Sequence, residues 1–253
     1  ALQACQNDDD IIFEVQQPGE FSFTNTFLSE YILTPQTATN LGERFTWETV
    51  DFGVQTNVSY EVQHSVSNEF ETITSFGTTT ETQLSVSIGD LLEVAEDMGL
   101  SNDPALENNQ GVIYVRIKAF VGSSGSDEDA YSDIMLMNLL LPETESGEDP
   151  TCHIEAYFLV GAGVPDAGWG WESPVVVPCT GSGVFSANVT FSNEGDANFR
   201  FFTENANWDS GLNYTWFIDE GYTIDSNFED AQDDDNNFKF IGESGTYFLE
   251  VDS

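Results

Sequence analysis

The chain has 253 residues, 40% of them hydrophobic and 13% aromatic, which suits one large or two ordinary domains with real cores. Asp and Glu total 45 against 5 Lys and Arg, giving a formal net charge of −40. Such a field repels phosphate backbones, polyanionic polysaccharides and anionic lipid surfaces, so no nucleic-acid partner is expected and a neutral ligand fits better; the same charge also serves solubility in a salty exterior.

Residues 1–20 carry Asp8-Asp9-Asp10 and Gln16-Gln17-Pro18-Gly19 without any packing period, and read as a flexible tether. From 21 to 142 the pattern is one of short strands. These are Phe45-Thr46-Trp47-Glu48, Ser59 to Gln63, Thr82 to Val86 and a long run from Val112 to Phe120. In the long run Ile113, Val115, Ile117 and Ala119 alternate with Tyr114, Arg116 and Lys118, a period of two that sends one face into a core. One segment differs: Leu91, Leu92, Ala95 and Met98 recur at helical spacing and Gly99 supplies a stop, which predicts one short helix over 89–100. The apolar run Ile134 to Met137 is broken by Asn138 before Leu139 to Leu141, and no stretch has the length of a membrane-spanning helix.

The stretch 143–151 is acidic, with Pro142 just before it and Pro150 near its end, which marks a linker. Beyond it, 152–253 reads as a second sandwich, and because the sequence stops right after a strand, a closing strand or further domain beyond Ser253 is part of the expectation. Its strands are expected at Glu155 to Gly161, Val184 to Phe191, Phe199 to Thr203, Tyr214 to Ile218, Phe238 to Ile241 and Tyr247 to Val251. The predicted fold is all-β: two immunoglobulin-like β-sandwich domains in tandem, the first with one short helix. A bridge between Cys152 and Cys179 is expected to contribute about 3 to 4 kcal/mol and implies an oxidising home, the alternative being two buried free thiols.

Three sets of residues resemble the SusE/SusF surface glycan-binding lipoproteins of Bacteroidetes polysaccharide-utilisation systems. The first is Leu33-Thr34-Pro35, Phe45-Thr46-Trp47 and Tyr60 to Gln63; the second is Leu91 to Leu100, Tyr114 to Ala119 and Tyr131-Ser132. The third, in the distal half, is Tyr157 to Gly161, Ala167-Gly168-Trp169, Phe199 to Phe202, Trp208 and Gly245-Thr246-Tyr247. Leu2-Gln3-Ala4-Cys5 resembles the end of a lipoprotein signal peptide with Cys5 as lipid acceptor, and Gln6 to Asp10 resembles the acidic export signal that follows it. The resemblance implies a non-catalytic lipoprotein on the outer face of the outer membrane, attached by lipid only. It would bind a polysaccharide beside a SusC-like transporter and a SusD-like lipoprotein, with 21–142 as a spacer.

A flat pyranose needs aromatic faces plus a few directional hydrogen-bonding groups. Trp169 and Trp171, in the glycine-rich turn 168–171, and Trp208, in the polar loop 205–208, are the candidate platform. Each has the alternative of plugging the end of the sandwich. Trp47 and Trp216 lie in strand-like patterns and are expected in cores. Arg200 and Lys239 alternate with phenylalanines, should face outward, and are candidate donors to sugar hydroxyls or else members of ion pairs. Asp225, Asp233 and Asp235 belong to an acidic loop with calcium-type oxygens but without the calcium-loop spacing, so a solvated loop competes with that reading. No cofactor is expected. His64 and His153 have no nucleophile or metal motif beside them, so no enzyme is expected; the expected glycan is a neutral one, a β-glucan such as laminarin, with α-glucan and fructan open. A structural or adhesive surface protein is the second reading, and a glycoside hydrolase the third.

Overall fold

The computed structural model describes residues 16–122, 129–143, 152–181 and 183–252. Cys5, the tether before Gln16 and residues 144–151 of the expected linker lie outside the described residues. The elements, in chain order, are β1 (Tyr31–Ile32), β2 (Leu41–Thr46), β3 (Val58–Ser65), β4 (Thr74–Thr79), β5 (Gln83–Ser87), α1 (Ile88–Asp97), β6 (Gln110–Val121), β7 (Ala130–Tyr131) and β8 (Met135–Leu140). They continue with β9 (Ala156–Gly161), β10 (Val175–Pro178), β11 (Val184–Phe191), β12 (Asn198–Phe202), β13 (Gly211–Leu212), α2 (Tyr214–Asp219), β14 (Phe228–Asp230), β15 (Phe238–Phe240) and β16 (Gly245–Asp252). Strands dominate and helices are short, so the architecture is the expected all-β one.

The chain forms two compact units. The first holds the described residues through Thr26 together with Phe45–Leu84 and Tyr114–Met135. In it β3 pairs antiparallel with β4 on one side and β6 on the other, and β7 extends β6. The alternation read in the sequence is what builds this unit: Val115, Ile117 and Ala119 are fully buried beside Tyr60, Val62 and Trp47. The outward residues find other uses. Arg116 has its guanidinium between the Phe70 and Tyr131 rings, at 4.0 and 4.3 Å from their centroids, and Lys118 pairs with Asp129 at 2.8 Å.

The second unit holds Phe27–Arg44, Ser85–Ile113 and everything described after Met135. Its helix α1 starts in a reciprocal cap, in which the Ser87 hydroxyl accepts from Asp90 N–H and the Asp90 carboxylate accepts from Ser87 N–H. Ile88, Leu91, Val94 and Ala95 form its buried stripe, and Gly99 ends it in the left-handed region at φ 73°. Two hydrogen bonds join the Asn40 side chain to the Val176 backbone, at 2.8 and 3.0 Å, and Arg44 pairs with Asp166 at 3.1 Å.

Within the same unit, β10, β9, β12, β15 and β14 form one sheet in that order, and β11 pairs with β16 over eight residues. The core between them is aromatic: Tyr157, Phe185, Phe191, Phe199, Phe201, Phe217, Phe238 and Phe240 are all buried, mostly in tilted or edge-to-face contacts. Cys152 and Cys179 are joined by a disulfide with a Cα–Cα distance of 6.0 Å. One expectation is corrected here. Tyr214 to Ile218 is not a strand but the helix α2, because the Asn213 side chain accepts from Trp216 N–H at 2.9 Å and caps a helical turn. Helical phase then puts Phe217 into the core and leaves Ile218 exposed, with Trp216 half-buried against the core.

Candidate functional site

In the sheet that holds β10, β9, β12, β15 and β14, with β13 paired to β12, the outward face is set by the register of β12. Phe199 and Phe201 point into the core, so Asn198, Arg200 and Phe202 point the other way. Phe202 is nevertheless buried, because two indoles cover it. Trp171 lies edge-on at 4.8 Å and Trp208 edge-on at 5.5 Å, and the two indoles meet each other at 5.0 Å. Trp171 is half-buried in this cluster, while Trp208 keeps 52% of its surface exposed.

Trp208 is held out by its own loop. Asn207 accepts from Asp209 N–H at 3.0 Å and donates to Glu204 Oε2 at 2.7 Å. The Ser210 hydroxyl donates to the Asn207 carbonyl at 2.8 Å and accepts from Glu204 N–H at 3.2 Å, and Thr203 N–H reaches the Ser210 carbonyl at 3.2 Å. These local bonds satisfy the backbone of a 3-10 turn over Trp208–Ser210, so an apolar ring is displayed without the help of a core. The polar residues 204–210 that mark a loop in the sequence are the same residues that make the loop rigid.

Trp169 arrives by another route. Gly161 N–H bonds the Gly168 carbonyl at 2.8 Å and closes a turn over the start of β12. A Cβ at Gly161 would come within 2.3 Å of Phe199 Cα, so only glycine permits that approach. Trp169 follows this turn with 45% of its surface exposed and, among the described residues, makes no ring contact with Trp171 or Trp208. Trp47, in the other unit, is 3% exposed and packs on Tyr60 at 5.5 Å.

Arg200 adjoins the indole cluster. Its stem crosses Gly211, where a Cβ would lie 2.8 Å from Arg200 Cδ. Its Nη2 donates to the Asp235 carbonyl at 2.6 Å, and Nε is buried without a partner. Lys239 shares the outward face but pairs with Asn198 at the opposite end of β12 from Phe202, roughly 13 Å away at about 3.3 Å per residue. It donates to Glu229 Oε1 at 2.8 Å across the β14–β15 pair. The structure thus brings Trp171, Trp208 and Arg200 together and sets Lys239 apart.

The acidic loop is occupied with itself. Asp225 accepts from Asn227 N–H at 2.9 Å, and Asp233 accepts from Asn237 N–H at 3.0 Å and from the Asn237 amide at 2.8 Å. Burial alone would raise the Asp233 pKa, but the Asn237 and Asp235 N–H donors and the Arg200 charge outweigh it and hold the carboxyl below its ordinary value. The Asp235 carbonyl also accepts from Asn213 at 2.9 Å. Among the described residues no three His, Cys, Asp or Glu side chains converge on a possible metal position. Phe202, the floor of the cluster, and Asn207, its clamp, lie outside the set of site residues expected from the sequence. An Asn immediately before a Trp in a polar loop is the signal that could have found the second.

Residues 7–118 match the family model of the SusE outer membrane protein. The match lies in the first part of the chain and supports a SusE-type identification there, of a family described as outer membrane proteins. No curated protein and no solved structure matches the chain. Among the described residues no helix is long and apolar enough to cross a membrane.

Proposed function

We propose that this SusE-type chain is a non-catalytic surface lipoprotein that holds a neutral polysaccharide on the outer face of the outer membrane and supports its uptake by a SusC-like transporter with its SusD-like lipoprotein. One observation carries the reading: Trp208 is exposed on a loop clamped by Asn207 and Ser210, and its ring is braced from behind by Trp171 and Phe202. A ring that is rigid and solvent-facing offers its apolar surface to a pyranose without paying side-chain entropy on binding. Arg200 is the candidate hydroxyl donor on the same face, and Trp169 is a second exposed indole of this unit. The net charge of −40 disfavours an anionic glycan and leaves a neutral one, with a β-glucan such as laminarin as the first probe. In this reading 152–253 binds, 21–142 is the spacer, and Cys5 carries the lipid.

Affinity electrophoresis in gels containing laminarin, an α-glucan or a fructan tests the proposal. Retardation by one of them, abolished in Trp208→Ala, is the expected result. Retardation by none of the three would turn the reading toward a structural or adhesive surface role. Release of reducing sugar by the purified chain alone would turn it toward a hydrolase.

A further inference from the structure

The loop that carries Trp169 and Trp171 is held by hydrogen bonds only at its ends. Its first half is a turn closed on itself: Ala167 and Gly168 N–H donate to the carbonyl of buried Val164 at 2.9 and 3.0 Å. Among the described residues no hydrogen bond involves any of Trp169 to Pro174, after which β10 begins at Val175. Packing on Phe202 and Trp208 alone does not fix a backbone of this kind, so the ends decide where Trp171 stands.

Both ends are gripped by residues from the proximal half of the chain. β10 is the outermost strand of its sheet, and Val176 turns its backbone away from β9 toward Asn40. The Asn40 carboxamide accepts from Val176 N–H at 3.0 Å and donates to the Val176 carbonyl at 2.8 Å, doing for this edge what a strand residue would. Asn40 is buried, and its own backbone is fixed twice. Its N–H donates to the Thr37 carbonyl at 2.8 Å, and its carbonyl accepts from Ile88, the first residue of α1, at 2.9 Å. At the other end Asp166, just before Gly168, accepts from Arg44 Nη2 at 3.1 Å, while Arg44 Nε donates to Ser85 Oγ of β5 at 3.3 Å. The Asp166 side chain is only 14% exposed; burial raises its pKa, and the Arg44 charge and the Thr190 hydroxyl oppose that rise. Between the two contacts lies a recess of about 360 Å³, lined by Leu41, Ser87, Asp90 and Ser173 among others, so polar contacts rather than close packing join the surfaces there.

Asn40 and Arg44 fall within the residues that match the SusE family model, whereas Asp166 and Val176 fall in 152–253. We infer that Asn40 and Arg44 are positioning residues for the glycan site: they fix both ends of 166–176 and thereby hold Trp171 in place behind Trp208. The segment 40–44 is then part of the binding half as well as of the spacer. Its purpose rests on the glycan reading above; the fixing of Trp171 does not.

The test reads Trp171 in the intact chain. Its contact with Trp208 at 5.0 Å gives an exciton couplet in circular dichroism, identified by its loss in Trp208→Ala. Its buried Nε1 has no hydrogen-bond partner, so position alone protects that N–H from solvent. In Asn40→Ala and Arg44→Met the couplet should shrink and exchange of the Trp171 indole N–H, followed by magnetic resonance with labelled tryptophan, should quicken by at least ~10-fold. The Trp47 indole should not respond, and Arg44→Lys, which keeps the charge, should restore most of both signals. Gel retardation by laminarin should fall by at least ~3-fold in the same two variants. Arg44 is the more exposed partner of its pair, so its variants decide the matter if Asn40→Ala does not fold. An unaltered couplet and unaltered Trp171 protection in the folded variants would overturn the inference, because the loop would then hold itself. Equal quickening at Trp47 would overturn it as well, because the variants would then loosen the whole fold. If no glycan retards the parent chain the glycan reading fails, and the couplet and the indole exchange still decide the positioning.

Discussion

Trp47 and Trp208 are both tryptophans packed on one neighbouring ring at similar distance, 5.5 Å from Tyr60 and 5.0 Å from Trp171, yet one is 3% exposed and the other 52%. The difference lies in the backbone. Trp47 follows β2, bridges to Phe23 and donates its N–H to the Thr82 carbonyl, so neighbouring segments of its own unit close over the ring. Trp208 sits on a turn whose polar groups satisfy one another locally, so no second layer is needed and none covers the ring. Burial of an aromatic is thus a property of what its backbone pairs with, and a self-sufficient loop is what leaves an indole free for a ligand.

Four experiments sharpen or break that contrast. Trp47→Ala should be the most damaging: deleting a buried indole is expected to cost about 3 to 5 kcal/mol in denaturant unfolding. A loss as small as a surface substitution would show that the ring is not integral to its core. Trp208→Ala should invert the pattern, with stability nearly unchanged and glycan affinity down by roughly 2 kcal/mol or more in calorimetry. Equal effects on both would mean that the ring serves the fold rather than a ligand. Asn207→Ala, which touches no sugar in this reading, removes the clamp and is expected to cost about 1 kcal/mol of local order. Affinity should fall several-fold with it, and exchange of the Asp209 and Ser210 amides should quicken.

The smallest effect is that of pH at the acidic loop. The folded pKa of Asp233 is depressed, so its contribution to stability is fully present above the ordinary carboxylate value of about 3.9 and is lost as pH falls through the lower folded value. Acid titration of the native chain followed by exchange at Asn237 should show this loss, and Asp233→Asn should flatten it. A profile that the substitution leaves unchanged would remove Asp233 from the loop's stabilisation.

Much of the fold was legible in the residues. The alternation in β6 and β11 and the helical spacing of Leu91, Leu92 and Ala95 follow from local geometry, since a period of two or 3.6 is what a half-buried strand or helix requires. Tyr214 to Ile218 misled because Tyr, Thr, Trp, Phe and Ile all favour strands, and a single Asn cap together with burial of Phe217 overrode that preference. The short strands β1 and β13 have no pattern to read at two residues each, and only their partners define them.

The candidate site divides along the same line. That Trp208 lies in a polar loop, that Arg200 alternates with phenylalanines and that the chain repels anions are all written in the order and type of the residues, because each depends on neighbours a few positions away. That Trp171 braces Trp208, that Phe202 lies beneath both, that Lys239 falls at the far end of β12 and that β11 pairs with β16 were decided by tertiary structure alone. Contacts between residues distant in the chain depend on strand register and on which sheet edge finds a partner, and neither is encoded in any short stretch of sequence.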